Sequence, residues 1–189
     1  MKQSTSDTAA PSDPTAMSGL QLLRAWADNP DDGRPSIGRL LGMRPVRVDE
    51  GSVSFAVTPQ PDFANPLGTV HGGICATLLD SVMGCAVHTT LGPGIGYGTL
   101  ELKVNYVRTV PTDGVRLTAT GRVIHAGRQV ATAEGRVEDE RGRPIEAWPS
   151  ARASRISCVR RERNRPIPVV ITDHARDGGD GYPSDTRIL

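Results

Sequence analysis

Aromatic residues are scarce: 4% of 189 residues, as two Phe, two Trp and three Tyr. They are too few and too scattered to build the stacking platform of a single-stranded nucleic-acid binder. An excess of one charge is missing as well. Lys plus Arg is 22, Asp plus Glu is 21 and the net charge is +1, so the basic surplus of a dedicated nucleic-acid protein is absent. Lysine is confined to Lys2 and Lys103. No apolar run approaches the ~20 residues of a membrane span. The opening stretch Met1–Gly19 has no apolar h-region and is not expected to be a secretory signal. Cys75, Cys85 and Cys158 are the three cysteines. An odd count with two members in one apolar segment argues against a disulfide framework and for a reducing, cytoplasmic setting. There is no GxSxG elbow and no Walker loop. His71, His88, His125 and His174 form no HExxH or Cys/His zinc pattern, so no metal is expected.

What is present divides into four stretches. Residues 1–17 are rich in Ser, Thr, Asp, Ala and Pro and read as disordered. Residues 18–35 place Leu20, Leu23, Trp26 and Ala27 at helical spacing behind Ser18 as an N-cap, then enter a Pro/Gly/Asp loop. Residues 36–157 hold the fold, and 158–189 read as a polar, flexible tail carrying an Arg run from Arg160 to Arg165.

Within 36–157 the apolar spacing is mostly that of strands. Val46, Val48, Val53, Phe55 and Val57 alternate about Asp49-Glu50-Gly51, a hairpin signal. Leu100, Leu102, Val104 and Tyr106 alternate with polar residues. Val115 to Ile124, Gln129 to Val137 and Ile145 to Ile156 complete five or six antiparallel strands. One segment differs. From His71 to Leu91 the period is helical: Ile74, Leu78, Leu79, Val82, Cys85 and Ala86 fill one wide face, while Ala76, Met83 and Val87 lie opposite. The pattern predicts an α+β chain, an antiparallel sheet wrapped around one long central helix whose second apolar side faces another subunit.

Asp80 sits on that second side, among Ala76, Met83, Gly84 and Val87. A carboxylate in such company is costly unless it is hydrogen-bonded or used. Just upstream runs Asn65-Pro66-Leu67-Gly68-Thr69-Val70-His71-Gly72-Gly73. Gly72 and Gly73 open the helix, where unshielded backbone N–H groups suit a developing negative charge and let a substrate carbonyl come close.

These residues, with Leu78-Leu79-Asp80, Gly98-Thr99-Leu100-Glu101, Tyr106-Val107-Arg108 and His125-Ala126-Gly127-Arg128, resemble a hotdog-fold acyl-CoA thioesterase of the phenylacetate-degradation type. The resemblance spans 36–157. It implies that Gly72 N–H and the Asn65 side chain polarise a thioester carbonyl, that Asp80 is general base or nucleophile, that Thr99 helps to place the water and that His71 orients the Asn65 side. It implies that Gly73, Arg108, Gly127 and Arg128 contact coenzyme A. It also implies an acyl pocket lined by Phe63, Leu67, Leu79 and Met83. No cofactor is implied, coenzyme A being part of the substrate. Asp80 and Thr99 would come from the subunit opposite Asn65 and Gly72, making a homodimer the minimum active unit, with pairing into tetramers. The alternative is a non-catalytic acyl-CoA sensor or scaffold on the same fold.

Overall fold

The computed structural model describes residues 13–146 and 154–162. The segments expected to be disordered or flexible lie mostly outside the described residues. Helix α1 (Gly19–Asp28) begins at the expected cap. Ser18 Oγ accepts from Gln21 N at 3.3 Å, and the Gln21 side chain accepts from Ser18 N at 2.9 Å; each satisfies a donor the first turn cannot. Its apolar side lies on the sheet, with Trp26 edge-on to Phe55 and ring centroids 5.1 Å apart. A single turn, α2 (Ile37–Leu40), follows behind its cap Ser36.

Among the described residues, seven strands form one antiparallel sheet: β1 (Arg44–Asp49), β2 (Ser52–Val57), β3 (Ile95–Lys103), β4 (Leu117–Ala126), β5 (Val130–Asp139), β6 (Pro144–Glu146) and β7 (Ser154–Glu162). Their order is β1-β2-β4-β5-β7-β3, with β6 paired to β5. The expected hairpin is β1–β2. Gly51, at φ 72°, turns it through a left-handed conformation that glycine takes without a Cβ penalty.

Three boundaries differ from the sequence pattern. β3 starts at Ile95 and ends at Lys103, so Val104 and Tyr106 lie beyond the strand despite their alternation. The single strand expected over 145–156 is two, because β6 pairs with β5 while β7 inserts between β5 and β3. β7 also runs to Glu162, past the expected domain end at 157. The β5 ladder holds its backbone as far as Val159 and the β3 ladder as far as Glu162, so charged residues at its end do not stop it.

Helix α3 (Gly72–Thr89) packs on β4, β5 and β2. Leu78, Leu79, Val82, Met83, Ala86 and Val87 have no exposed surface; burial of each larger side chain contributes about 1.5–3 kcal/mol. The fit depends on two glycines facing each other across the ladder, Gly121 on β4 and Gly135 on β5. A Cβ at Gly121 would lie 2.5 Å from the Val82 carbonyl, and one at Gly135 2.9 Å from Met83 Cγ. Their missing side chains let the helix settle on the sheet. This corrects one expectation. Met83 and Val87, read as facing a second subunit, are covered by the chain's own sheet. The half-covered strip of α3 instead carries Thr77, Asp80, Ser81, Cys85 and His88.

Candidate active site

The N-terminus of α3 is built by the residue before it. His71 is the N-cap, and its Nδ1 accepts from Gly73 N at 2.9 Å. An accepting Nδ1 carries no proton, so the imidazole proton is on Nε2. His71 N is in turn tied to the Phe63 carbonyl at 2.8 Å, and Ile74 N donates to the His71 carbonyl at 2.9 Å. That leaves Gly72 N–H with no acceptor among the described residues. It is an unsatisfied donor at the positive end of an 18-residue helix.

Asn65 is fixed by its own turn rather than by His71. Its Oδ1 accepts from Leu67 N at 2.9 Å and Thr69 N at 3.2 Å, and its Nδ2 donates to Thr69 Oγ1 at 2.9 Å. The backbone repeats the closure, with Asn65 N on the Thr69 carbonyl at 2.7 Å. One Nδ2 proton remains for another acceptor. The expected orienting role of His71 therefore falls to Thr69 as far as direct contact goes.

Asp80 is half-buried on α3, eight residues beyond Gly72 and so about 12 Å along the axis at the usual helical rise. Thr99 Oγ1, on β3, donates to Asp80 Oδ1 at 2.9 Å. Cys85, Cys158 and the Tyr97 hydroxyl share its surroundings. Burial pushes both thiols up to about 12, with the Asp80 charge adding to the rise, and it pushes the Tyr97 phenol up too. No thiolate nucleophile is therefore offered there at neutral pH.

The structure thus makes two groups from the predicted residues, Asn65–His71–Gly72 at the helix start and Asp80–Thr99 further along. Comparison with known proteins bears on what they do. The thioesterase superfamily matches residues 67–146. YigI, a medium/long-chain acyl-CoA thioesterase of Escherichia coli, is 30% identical over 117 residues, covering 54% of this chain and 74% of YigI. The chain belongs to the thioesterase superfamily. It is a thioester hydrolase with the hotdog fold. A solved mutant of thioesterase PA1618 from Pseudomonas aeruginosa is 26% identical with a TM-score of 0.60, covering 75% of this chain and 92% of that one. The Escherichia coli PaaI protein of the phenylacetic acid degradation operon shares the fold at 20% identity and a TM-score of 0.63, with the same two coverages.

Other predicted residues of this thioesterase sit beside these groups or beyond them. Arg108 turns inward: its guanidinium meets Asp139 Oδ2 at 3.0 Å and the Arg143 carbonyl at 3.3 Å. Gly127 N donates to the Val130 carbonyl at 2.9 Å in the β4–β5 turn, where Arg128 is exposed. Leu79 and Met83 are core residues with no exposed surface, while Leu67 is 87% exposed and Phe63 packs against the core.

Sequence reasoning missed Thr69, Tyr97 and Tyr106. Tyr97 covers Gly84, where a Cβ would lie 2.6 Å from its ring. Tyr106 donates its hydroxyl to the Gly72 carbonyl at 2.9 Å. Thr69 is one polar residue in a polar turn and gives no periodic signal. Tyr106 sits at the end of an alternating run that reads as strand.

Proposed function

We propose that this thioesterase hydrolyses acyl-CoA esters to the free acid and coenzyme A. The observation that carries the reading is one helix bearing both an unsatisfied N-terminal amide at Gly72 and a half-buried carboxylate at Asp80. Gly72 N–H and Asn65 Nδ2–H donate to the thioester oxygen, whose negative charge grows as the carbonyl carbon becomes tetrahedral. Asp80 takes a proton from the attacking water, or attacks the carbon itself to form an anhydride that water then opens. In either route the C–S bond breaks, and coenzyme A leaves as a thiol once protonated. Thr99 holds Asp80 with its proton and keeps lone pairs for the water. Trapping of an acyl-Asp80 anhydride with hydroxylamine separates the two routes.

The ~12 Å between Gly72 and Asp80 along one helix is too long for both to act on one carbonyl. This supports a homodimer in which one chain supplies Asn65 and Gly72 and its partner supplies Asp80 and Thr99, with tetramers as a further assembly. Gly73, Gly127 and exposed Arg128 would meet coenzyme A. Arg108 would act from its place beside Asp139, and no cofactor takes part. The name of YigI supports a coenzyme A ester as substrate. The three cysteines, none in a disulfide, support a cytoplasmic location.

The test is release of free thiol from a panel of short-chain, long-chain and aryl-CoA esters. At least one ester should turn over with wild-type protein and not with Asp80→Asn. Tight acyl-CoA binding with no turnover of any ester would overturn the reading.

A further inference from the structure

Tyr106, which the proposed chemistry has not used, touches the start of α3. Tyr106 lies just beyond β3, with 53% of its surface exposed. Its segment is anchored from below. Val107 N and Arg108 N both reach the Ile145 carbonyl, at 3.1 and 3.3 Å, and the Arg108 guanidinium grips buried Asp139. So held, Tyr106 lays its ring on the first residue of α3. A Cβ at Gly72 would lie 3.1 Å from Tyr106 Cζ and 3.2 Å from its Cε1 and Oη. The hydroxyl donates to the Gly72 carbonyl at 2.9 Å.

Two glycines in succession make a loose first turn, because glycine retains more backbone freedom than any other residue. A donor that stabilises an oxyanion must already point at it. His71 steadies Gly73 through its Nδ1, and Ile74 N holds the His71 carbonyl, whose peptide plane carries the Gly72 N–H; the nearest side chain over Gly72 is that of Tyr106. We propose that Tyr106 is a positioning residue: its hydroxyl on the Gly72 carbonyl and its ring over the Gly72 Cα seat the residue whose N–H is the oxyanion donor, and the ring leaves tight room there for any side chain. The inference rests on the acyl-CoA reading for its catalytic part.

The experiment is a double-mutant cycle read by thioester turnover and melting temperature. Tyr106→Phe keeps the ring and loses the hydroxyl; kcat should fall about tenfold with KM within about twofold, since the donor matters most in the transition state. Gly72→Ala makes the ring give by a few tenths of an ångström and should cut kcat about tenfold in the wild-type background, but by no more than about twofold when added to Tyr106→Ala. The melting temperature should follow the same pattern. An equal cost of Gly72→Ala in both backgrounds, or an unchanged kcat in Tyr106→Phe, overturns the inference. If wild-type protein turns over no acyl-CoA, the function reading falls and takes the catalytic role of Tyr106 with it. The melting temperatures alone then decide whether the ring excludes a side chain at 72.

Discussion

Thr99 and Asp80 meet across the gap between an edge strand and the central helix, hydroxyl to carboxylate at 2.9 Å. β3 pairs on one side with β7, and Tyr97, two residues earlier in the same strand, covers Gly84 one turn beyond Asp80. The strand is thus seated on the helix at the height that brings Thr99 to the carboxylate.

Asp80→Asn should keep the fold and lose about 10²–10⁴ in kcat, the usual contribution of a positioned base. Thr99→Val should lose about tenfold by leaving the carboxylate unanchored, whereas Thr99→Ser should stay close to wild type. Steady-state kinetics of the three variants checks both. Full activity in Asp80→Asn would remove the carboxylate from the mechanism.

A shared site predicts complementation. Asp80→Asn chains and Asn65→Ala chains should each be inactive. Unfolded together and refolded as a mixture, they should recover about a quarter of wild-type activity, because half of randomly paired dimers carry one intact site of two. No recovery would place all the groups of a site in one chain.

The glycine pair beneath α3 predicts a graded loss of stability. Gly121→Ala pushes a methyl into the Val82 backbone, which has nowhere to move, and should cost about 3 kcal/mol or more. Gly135→Ala meets the ends of the Met83 and Leu79 side chains, which can turn aside, and should cost about 1 kcal/mol. Denaturant midpoints compare the two; equal costs would mean that the backbone yields as readily as the side chains.

Asp139 predicts acid sensitivity. Burial alone would raise its carboxyl. Hydrogen bonds from the Arg143 backbone and guanidinium and from Arg141 N outweigh this and hold it at about 2. An unfolded aspartate titrates near ~3.9. The stabilisation is therefore complete above about pH 4 and is lost as pH falls through 2. Melting temperature should drop across that window in the wild type. In Asp139→Asn it should be lower at neutral pH and flatter below pH 4. Parallel curves for the two proteins would remove Asp139 as the cause.

The sequence by itself determined α1, the β1–β2 hairpin, α3 and the placing of Asn65, Gly72 and Asp80 on one turn and one helix. These follow from local signals: the Ser18 cap, period-2 alternation, period-3.6 burial and a carboxylate among apolar neighbours. What depends on partners distant in the chain was not legible. Alternation does not say that β7 lies between β5 and β3, or that its pairing carries it to Glu162. Nothing local marks Gly121 and Gly135 as the places where the helix rests on the sheet. The resemblance offers Arg108 as a coenzyme A contact, but nothing local says that the fold also pairs it with Asp139, 31 residues away. The apolar side of α3 carrying Met83 read as an interface, and the curl of the sheet buried it instead. Periodicity reports which residues leave water, because burial of an apolar group is nearly independent of what covers it. Which group covers them, and which donor meets which acceptor, depends on direction and distance, and these exist only once the chain has folded.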